Sequence, residues 1–132
     1  MAFTFTANEN QELTNGDVVH FQHERANIGG HYNPENSTFN CPYSGTYLFS
    51  INIMSQQGQS MEAYIIKDSI ALVRADADGS PTNDVNTHGS AFVITECMQG
   101  QSVWVSAYRM GYLQEGYSSH FSGHMLKRQG NE

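Results

Sequence analysis

Phe39-Asn40-Cys41-Pro42-Tyr43-Ser44-Gly45-Thr46-Tyr47-Leu48-Phe49-Ser50-Ile51-Asn52-Ile53 is the stretch that decides the fold of this 132-residue chain. Pro42 and Gly45 punctuate a turn, and after them Tyr47, Phe49, Ile51 and Ile53 recur at every second position, alternating with Thr46, Leu48, Ser50 and Asn52. A period of two places the aromatic and β-branched residues on one face of a strand. Leu48 is apolar on the other face, so the strand is expected in the middle of a sheet, covered at least partly on both sides.

The composition agrees with a chain built from strands. Hydrophobic residues make up 39% and charged residues 14%, with 12 glycines, which suits short strands joined by many turns better than salt-bridged helices. One domain over residues 1–132 is expected, long enough to bury roughly two-thirds of its unfolded surface. The net charge of -7 arises from 13 acidic against 6 basic residues, and no Lys/Arg cluster is present to neutralise a phosphate backbone. Nucleic acid is therefore not an expected partner; the Lys127-Arg128 pair reads as part of a solvated tail. No apolar run approaches the ~18 residues of a membrane-crossing helix. Met1-Ala2-Phe3-Thr4-Phe5-Thr6 alternates like an edge strand and lacks the layout of a signal peptide, which taken alone implies a cytosolic protein.

Working outward, strands are expected at Ala2 to Thr6, Val18 to His23 and Thr38-Phe39, with a polar loop from Asn10 to Asp17 and turns at Asn15-Gly16, Gly29-Gly30 and Pro34-Glu35-Asn36. Ala63 to Lys67 and Ala71 to Arg74 form a hairpin around Asp68-Ser69, and Asp76 to His88 reads as a long exposed loop. Ser90 to Glu96 and Ser102 to Met110 form another hairpin, before a final strand from Tyr117 to Leu126. Eight or more short strands at this spacing make an all-β sandwich. Asn36-Ser37-Thr38 is the chain's one glycosylation sequon, meaningful if the chain is secreted.

No nucleophile elbow, His-Glu-x-x-His, phosphate-binding loop or dinucleotide turn is present, so catalysis is not expected. Asp76-Ala77-Asp78-Gly79 with Asp84 clusters carboxylates as a calcium site would. It does not fit an EF-hand, whose first and last ligand positions would fall on Arg74 and Val85, and a solvated acidic loop explains it better. His120 and His124 share a strand face and could hold a transition metal only with further ligands that the sequence does not name. Tyr112 and Tyr117 beside Gln114 and Glu115 combine stacking faces with hydrogen-bonding groups, as a sugar-binding surface does, although rim tyrosines also look like this.

Phe21, Asn27, Tyr32, Phe39, Gly45, Tyr47 and Phe49 follow one another at spacings that resemble the signature of the C1q globular head, and Phe121-Ser122-Gly123-His124-Met125-Leu126 is similar to the family's closing strand. Ile51 stands where the signature has Phe or Tyr, and His124 replaces an aromatic residue. The resemblance implies a jelly-roll β-sandwich of the C1q/tumour-necrosis-factor type, about ten strands in two antiparallel sheets. It implies a secreted protein that assembles as a homotrimer, with His124 and Leu48 at the subunit contact, where protonated histidines would loosen the assembly. It places Cys41 beside Cys97, as a disulfide or as two buried thiols, and puts the Asp76/Asp78/Asp84 region near a calcium-holding apex. The function it implies is innate-immune recognition of microbial glycans or lipopolysaccharide by a lectin-like trimer, without an obligatory cofactor. Its alternative is an extracellular signalling or matrix protein whose partner is another protein.

Overall fold

A computed structural model describes residues 1–79 and 85–130. The strands, in chain order, are β1 (Ala2–Ala7), β2 (Gln11–Leu13), β3 (His23–Ile28), β4 (Tyr32–Asn33), β5 (Thr38–Asn40), β6 (Gly45–Met54), β7 (Met61–Lys67), β8 (Ile70–Ala77), β9 (His88–Cys97), β10 (Ser102–Ala107), β11 (Gly111–Leu113) and β12 (Gly116–Arg128). Two five-stranded antiparallel sheets, ordered β3-β1-β12-β6-β9 and β4-β5-β10-β7-β8, enclose the core, and β2 pairs with β11 in a small third sheet. This is the expected sandwich.

The core follows from the alternation. Tyr47, Phe49, Ile51 and Ile53 of β6 are fully buried, while Thr46, Leu48, Ser50, Asn52 and Met54 are half-buried on the outer face. Opposite them, Val103, Val105 and Ala107 of β10 and Met61, Ala63 and Ile65 of β7 point inward. Between the sheets lies an aromatic cluster in which Phe3 stacks on Tyr32 at 4.9 Å and on Phe39 at 5.1 Å, while Phe121 meets Phe3 edge-on at 5.1 Å. Tyr32 keeps its hydroxyl satisfied by donating to the Phe21 carbonyl at 2.8 Å, and burial raises its pKa above the ordinary tyrosine value. Gly123 lets the rings close over β12, because a Cβ there would stand 2.6 Å from the Phe3 ring and 2.7 Å from that of Phe49.

The Asp68-Ser69 hairpin forms as read, with both residues at positive φ (45° and 72°), the backbone of a type I′ turn that matches strand twist. Val18 to His23 differs from expectation. The segment before His23 makes only an isolated bridge, Val18 to Ser106, and the strand is His23–Ile28, paired with β1. Val19 and Phe21 are buried nonetheless, so apolar content there records burial without strand pairing. The Asn10 to Asp17 loop also contains β2, whose Gln11 side chain bonds both the backbone N–H and the carbonyl of His20.

The cysteines come together, but as thiols. Cys97 is opposite Gly45 across β6 and β9, and the Cys41 N–H bonds the Gln101 carbonyl. Of the two forms expected, a disulfide or a pair of buried thiols, the structure has the second, with Cys41 Sγ donating to the carbonyls of Tyr43 (3.2 Å) and Cys97 (3.4 Å). Burial first, and then the neighbouring Cys41, push the Cys97 thiol up to about 12. Titration of the denatured, unreduced protein is expected to find two reactive thiols per chain. Because the folded pKa lies above that of an unfolded thiol, the contribution of Cys97 to stability is full below about pH 8.5 and is lost as pH climbs toward 12. Urea midpoints measured between pH 8 and 11 should fall for the native chain and fall less for Cys97→Ala.

Candidate functional site

The outer face of the first sheet is crossed by one register row. Ile28 opposes Ala2, Ala2 opposes His124, His124 opposes Leu48, and Leu48 opposes Ile94, so five side chains line up across five strands. The next row runs Ala26, Thr4, Ser122, Ser50, Phe92, with the Thr4 and Ser122 hydroxyls 2.8 Å apart. Large apolar groups mark the two edges: Ile28 is 63% exposed, Phe92 66% and Ile94 56%. In the second row the residues between the edges are small, and a hollow of about 440 Å³, lined by Asn52, Ser90, Phe92 and His120 among others, opens beside Phe92. An exposed apolar edge flanked by small side chains lets another surface approach closely.

The outer face of the second sheet carries a different chemistry. Tyr64 on β7 meets Tyr108, just after β10, with ring centroids 5.4 Å apart in a T shape. The Arg74 guanidinium lies 5.8 Å from the Tyr64 ring and 5.3 Å from the Tyr108 ring, and that of Arg109 lies 5.0 Å from Tyr108. Arg74 Nε also pairs with Asp76 at 2.8 Å, and hydrogen bonding to Tyr64 and then to Asp76 raises its pKa further, so it stays charged. Arg109 adopts φ 60°, costly for a residue with a Cβ, and is fixed there by its N–H bond to Asn15 Oδ1 at 2.9 Å. The buried Oε2 of Glu62 has no hydrogen-bond partner among the described residues and stands 4.0 Å from Arg109 Nε. Trp104 joins the same face through its register with Ile66. Stacking surfaces, guanidinium donors and carboxylates thus share one face of the second sheet.

The residues singled out from sequence fall in several places. Leu48 and His124 are direct partners in the register row of the first sheet. Tyr117 is 75% exposed, but the Arg25 guanidinium sits 4.3 Å from its ring centre, so that face is covered. Tyr112 is half-buried and its hydroxyl donates to Met110 Sδ at 3.3 Å. The backbone N–H groups of Gln114 and Glu115 bond Met54 O and Asn10 Oδ1, which fixes the turn leading into β12. The residues of the calcium reading are only partly among the described ones. Asp76 is committed to Arg74, no three His, Cys, Asp or Glu groups converge among the described residues, and Asp84 lies outside them.

Comparison with known proteins agrees with the sandwich. A family model described as the C1q domain matches residues 2–126. The chain belongs to that family. A mouse (Mus musculus) relative, complement C1q tumor necrosis factor-related protein 6, is 26% identical over 111 residues, covering 80% of this chain and 41% of its own length, so the chain spans less than half of that relative. The globular domain of zebrafish complement 1qA superposes with a TM-score of 0.78 at 18% identity, covering 97% of this chain and 98% of its own. The Eiger tumour necrosis factor of S. frugiperda superposes at 0.76 with 12% identity, covering 99% and 95%. At these identities the structures attest to the shared jelly roll.

Within this C1q domain, the second-sheet cluster is what reading the sequence missed. Tyr64 and Tyr108 are far apart in the chain and meet only through the pairing of β7 with β10, in which Tyr64 opposes Ser106. A signal did exist. Once Met61, Ala63 and Ile65 are assigned inward, Glu62, Tyr64 and Ile66 must point outward.

Proposed function

We propose that this C1q domain works as a secreted homotrimeric recognition head that binds microbial surface glycans, with lipopolysaccharide among them, through the outer face of its second sheet. The observation that carries the reading is the register row from Ile28 to Ile94 with its exposed apolar ends. In a closed ring of three, the β9 edge of one copy meets the first sheet of the next, a heterologous contact that leaves no copy unpartnered. Leu48 and His124 then lie inside the contact. The second sheet remains outside the ring and is displayed three times, so weak sugar contacts add up through avidity. Tyr64, Tyr108 and Trp104 supply the stacking faces, the Arg74 and Arg109 guanidiniums donate to hydroxyl and acidic groups of the sugar, and the part-exposed Asp76 carboxylate accepts from its hydroxyls.

The test is a screen of the purified trimer against glycans and lipopolysaccharide, competed by free sugar. Tyr108→Ala is expected to lower apparent affinity by about tenfold or more, since one lost stacking contact is multiplied over three heads, while the sedimenting species is unchanged. Binding that survives this substitution would move the ligand surface elsewhere. A second reading rests on the same face, because Trp, Tyr and Arg are also the residues that anchor protein–protein contacts. An extracellular protein partner, as in signalling or matrix roles, is favoured if all sugars fail while Tyr108→Ala abolishes capture of a defined receptor ectodomain.

A further inference from the structure

We propose that Asn36 is an N-linked glycosylation site, placed so that its oligosaccharide caps the β4 edge of the second sheet and leaves the assembly face bare. The proposal rests on the extracellular reading above, because the reaction belongs to the secretory pathway. Asn36-Ser37-Thr38 is the chain's one Asn-x-Ser/Thr triplet, and the structure puts it in the turn that joins β4 to β5. Asn36 is exposed, whereas Ser37 next to it is fully buried.

That contrast fixes the direction of the side chain. Ser37 sits at φ 54° and turns its hydroxyl inward, where it accepts the Phe21 N–H at 3.0 Å. The Thr38 hydroxyl folds back to donate to the Asn36 carbonyl at 3.1 Å, and the Glu35 N–H bonds Asn33 Oδ1 at 3.0 Å. The turn is therefore pinned on both sides of Asn36 by local side-chain bonds of the kind that Asn, Ser and Thr make in turns. Asn36 occupies the position that the turn gives to solvent. A chain with the same triplet in a strand interior would have to trade core contacts for the sugar; here nothing packed is lost.

The chemistry is a group transfer without change of oxidation state. Asn36 Nδ2 attacks the anomeric carbon of a lipid-linked pyrophosphoryl oligosaccharide, forming the C–N bond. The bond from that carbon to the pyrophosphate oxygen breaks, the lipid pyrophosphate departs with the electron pair, and one Nδ2 proton passes to a base of the transferase.

Placement gives the modification a consequence. β4 is two residues long and lies at the end of the second sheet, where the Asn27 side-chain amide already holds the Tyr32 backbone, accepting from its N–H at 3.4 Å and donating to its carbonyl at 3.1 Å. A glycan on the β4–β5 turn shields that edge. The Ile28 to Ile94 row belongs to the other sheet, so three modified copies close their ring as three bare ones do.

The experiment directs the full chain through the secretory pathway of cultured animal cells behind a heterologous signal peptide. One glycan per chain is expected, removed by peptide N-glycosidase with conversion of Asn36 to Asp in the mass spectrum. Asn36→Gln and Thr38→Ala should each abolish it, and Thr38→Ser should retain it at reduced occupancy. A secreted wild-type chain of unmodified mass, or a glycan that persists in both Asn36→Gln and Thr38→Ala, overturns the site. Sedimentation before and after enzymatic deglycosylation reads the rest: equal assembly supports the placement, and assembly only after removal overturns it. Glycan binding by the head is scored separately, so a head that fails to bind sugars leaves this result standing.

Discussion

Replacing Phe92 and Ile94 together with aspartate is expected to convert the proposed trimer into monomers that keep the fold. Both side chains stand on β9 with more than half their surface in water, so neither supports the core of its own subunit. Inside a ring each is covered once. Burying a wholly exposed side chain of this size stabilises by about 1.5–3 kcal/mol, and with 66% and 56% of their surface left to cover the pair accounts for about 2–4 kcal/mol per contact, roughly thirtyfold or more in each association constant. The aspartates add the penalty of a carboxylate pressed against the first sheet of the neighbouring subunit, where Leu48 and the small residues of the second row lie. Sedimentation velocity at micromolar protein should therefore show one slow species, with the β-sheet circular dichroism and the melting transition of the isolated subunit retained. A variant that sediments as the native protein does would place the contact on another face, and a native chain that is itself monomeric would remove the avidity on which the recognition reading depends.

The same two residues show how far the sequence reaches. On β6 the alternation of large apolar and small polar residues has one solution, and the buried face came out as read. On β9, Phe92 and Ile94 alternate with Ala91, Val93 and Thr95, so both faces look fit for burial and strand formation is plain, while the choice of inner face is not. Pairing settles it: Leu48 opposes Ile94, which puts Ile94 on the half-exposed side of β6. His23–Ile28 was hidden for the opposite reason. His-Glu-Arg-Ala-Asn-Ile has no apolar period, because an edge strand can be held by backbone bonds to β1 while all its side chains stay at least partly wet.

Sites were less legible than strands because a strand is specified by its own residues and a surface by register between distant ones. Tyr112, Gln114, Glu115 and Tyr117 are neighbours in sequence, and the backbone of their turn separates their settings. Tyr64, Tyr108, Arg74 and Arg109 come from three places in the chain, and the sheet stacks them. Cysteine placement fell between the two cases: antiparallel pairing of β6 with β9 was enough to bring Cys41 and Cys97 together, and too coarse to say whether sulfur would bond sulfur or a carbonyl.

The largest expected loss of stability belongs to Phe121→Ala. Phe121 lies in the middle of β12, fully buried, between β1 and β6. Its ring is the shared neighbour of the aromatic cluster: edge-on to Phe3 at 5.1 Å and to Tyr32 at 6.0 Å, tilted against Phe21 at 6.0 Å and Phe49 at 6.4 Å. Phe3, Tyr32 and Phe49 are anchored by separate strands, and Phe21 by backbone bonds to the Ser37 and Tyr32 hydroxyls, so the rings cannot collapse together into the space left behind, and the cavity remains. Truncation is expected to cost about 3–5 kcal/mol, against a total of about 5–15 kcal/mol for a domain, and to lower the melting temperature by on the order of 10 °C or more. Phe121→Leu, which refills most of the volume, should recover more than half of that loss. The outer row is untouched in both variants, so below their melting transitions they should still sediment as the native assembly does, which separates core packing from subunit contact. An alanine variant that melts within a degree or two of the native chain would mean that the rings repack around the gap, and the aromatic cluster would then be a filling of the sandwich rather than what holds its two sheets in register.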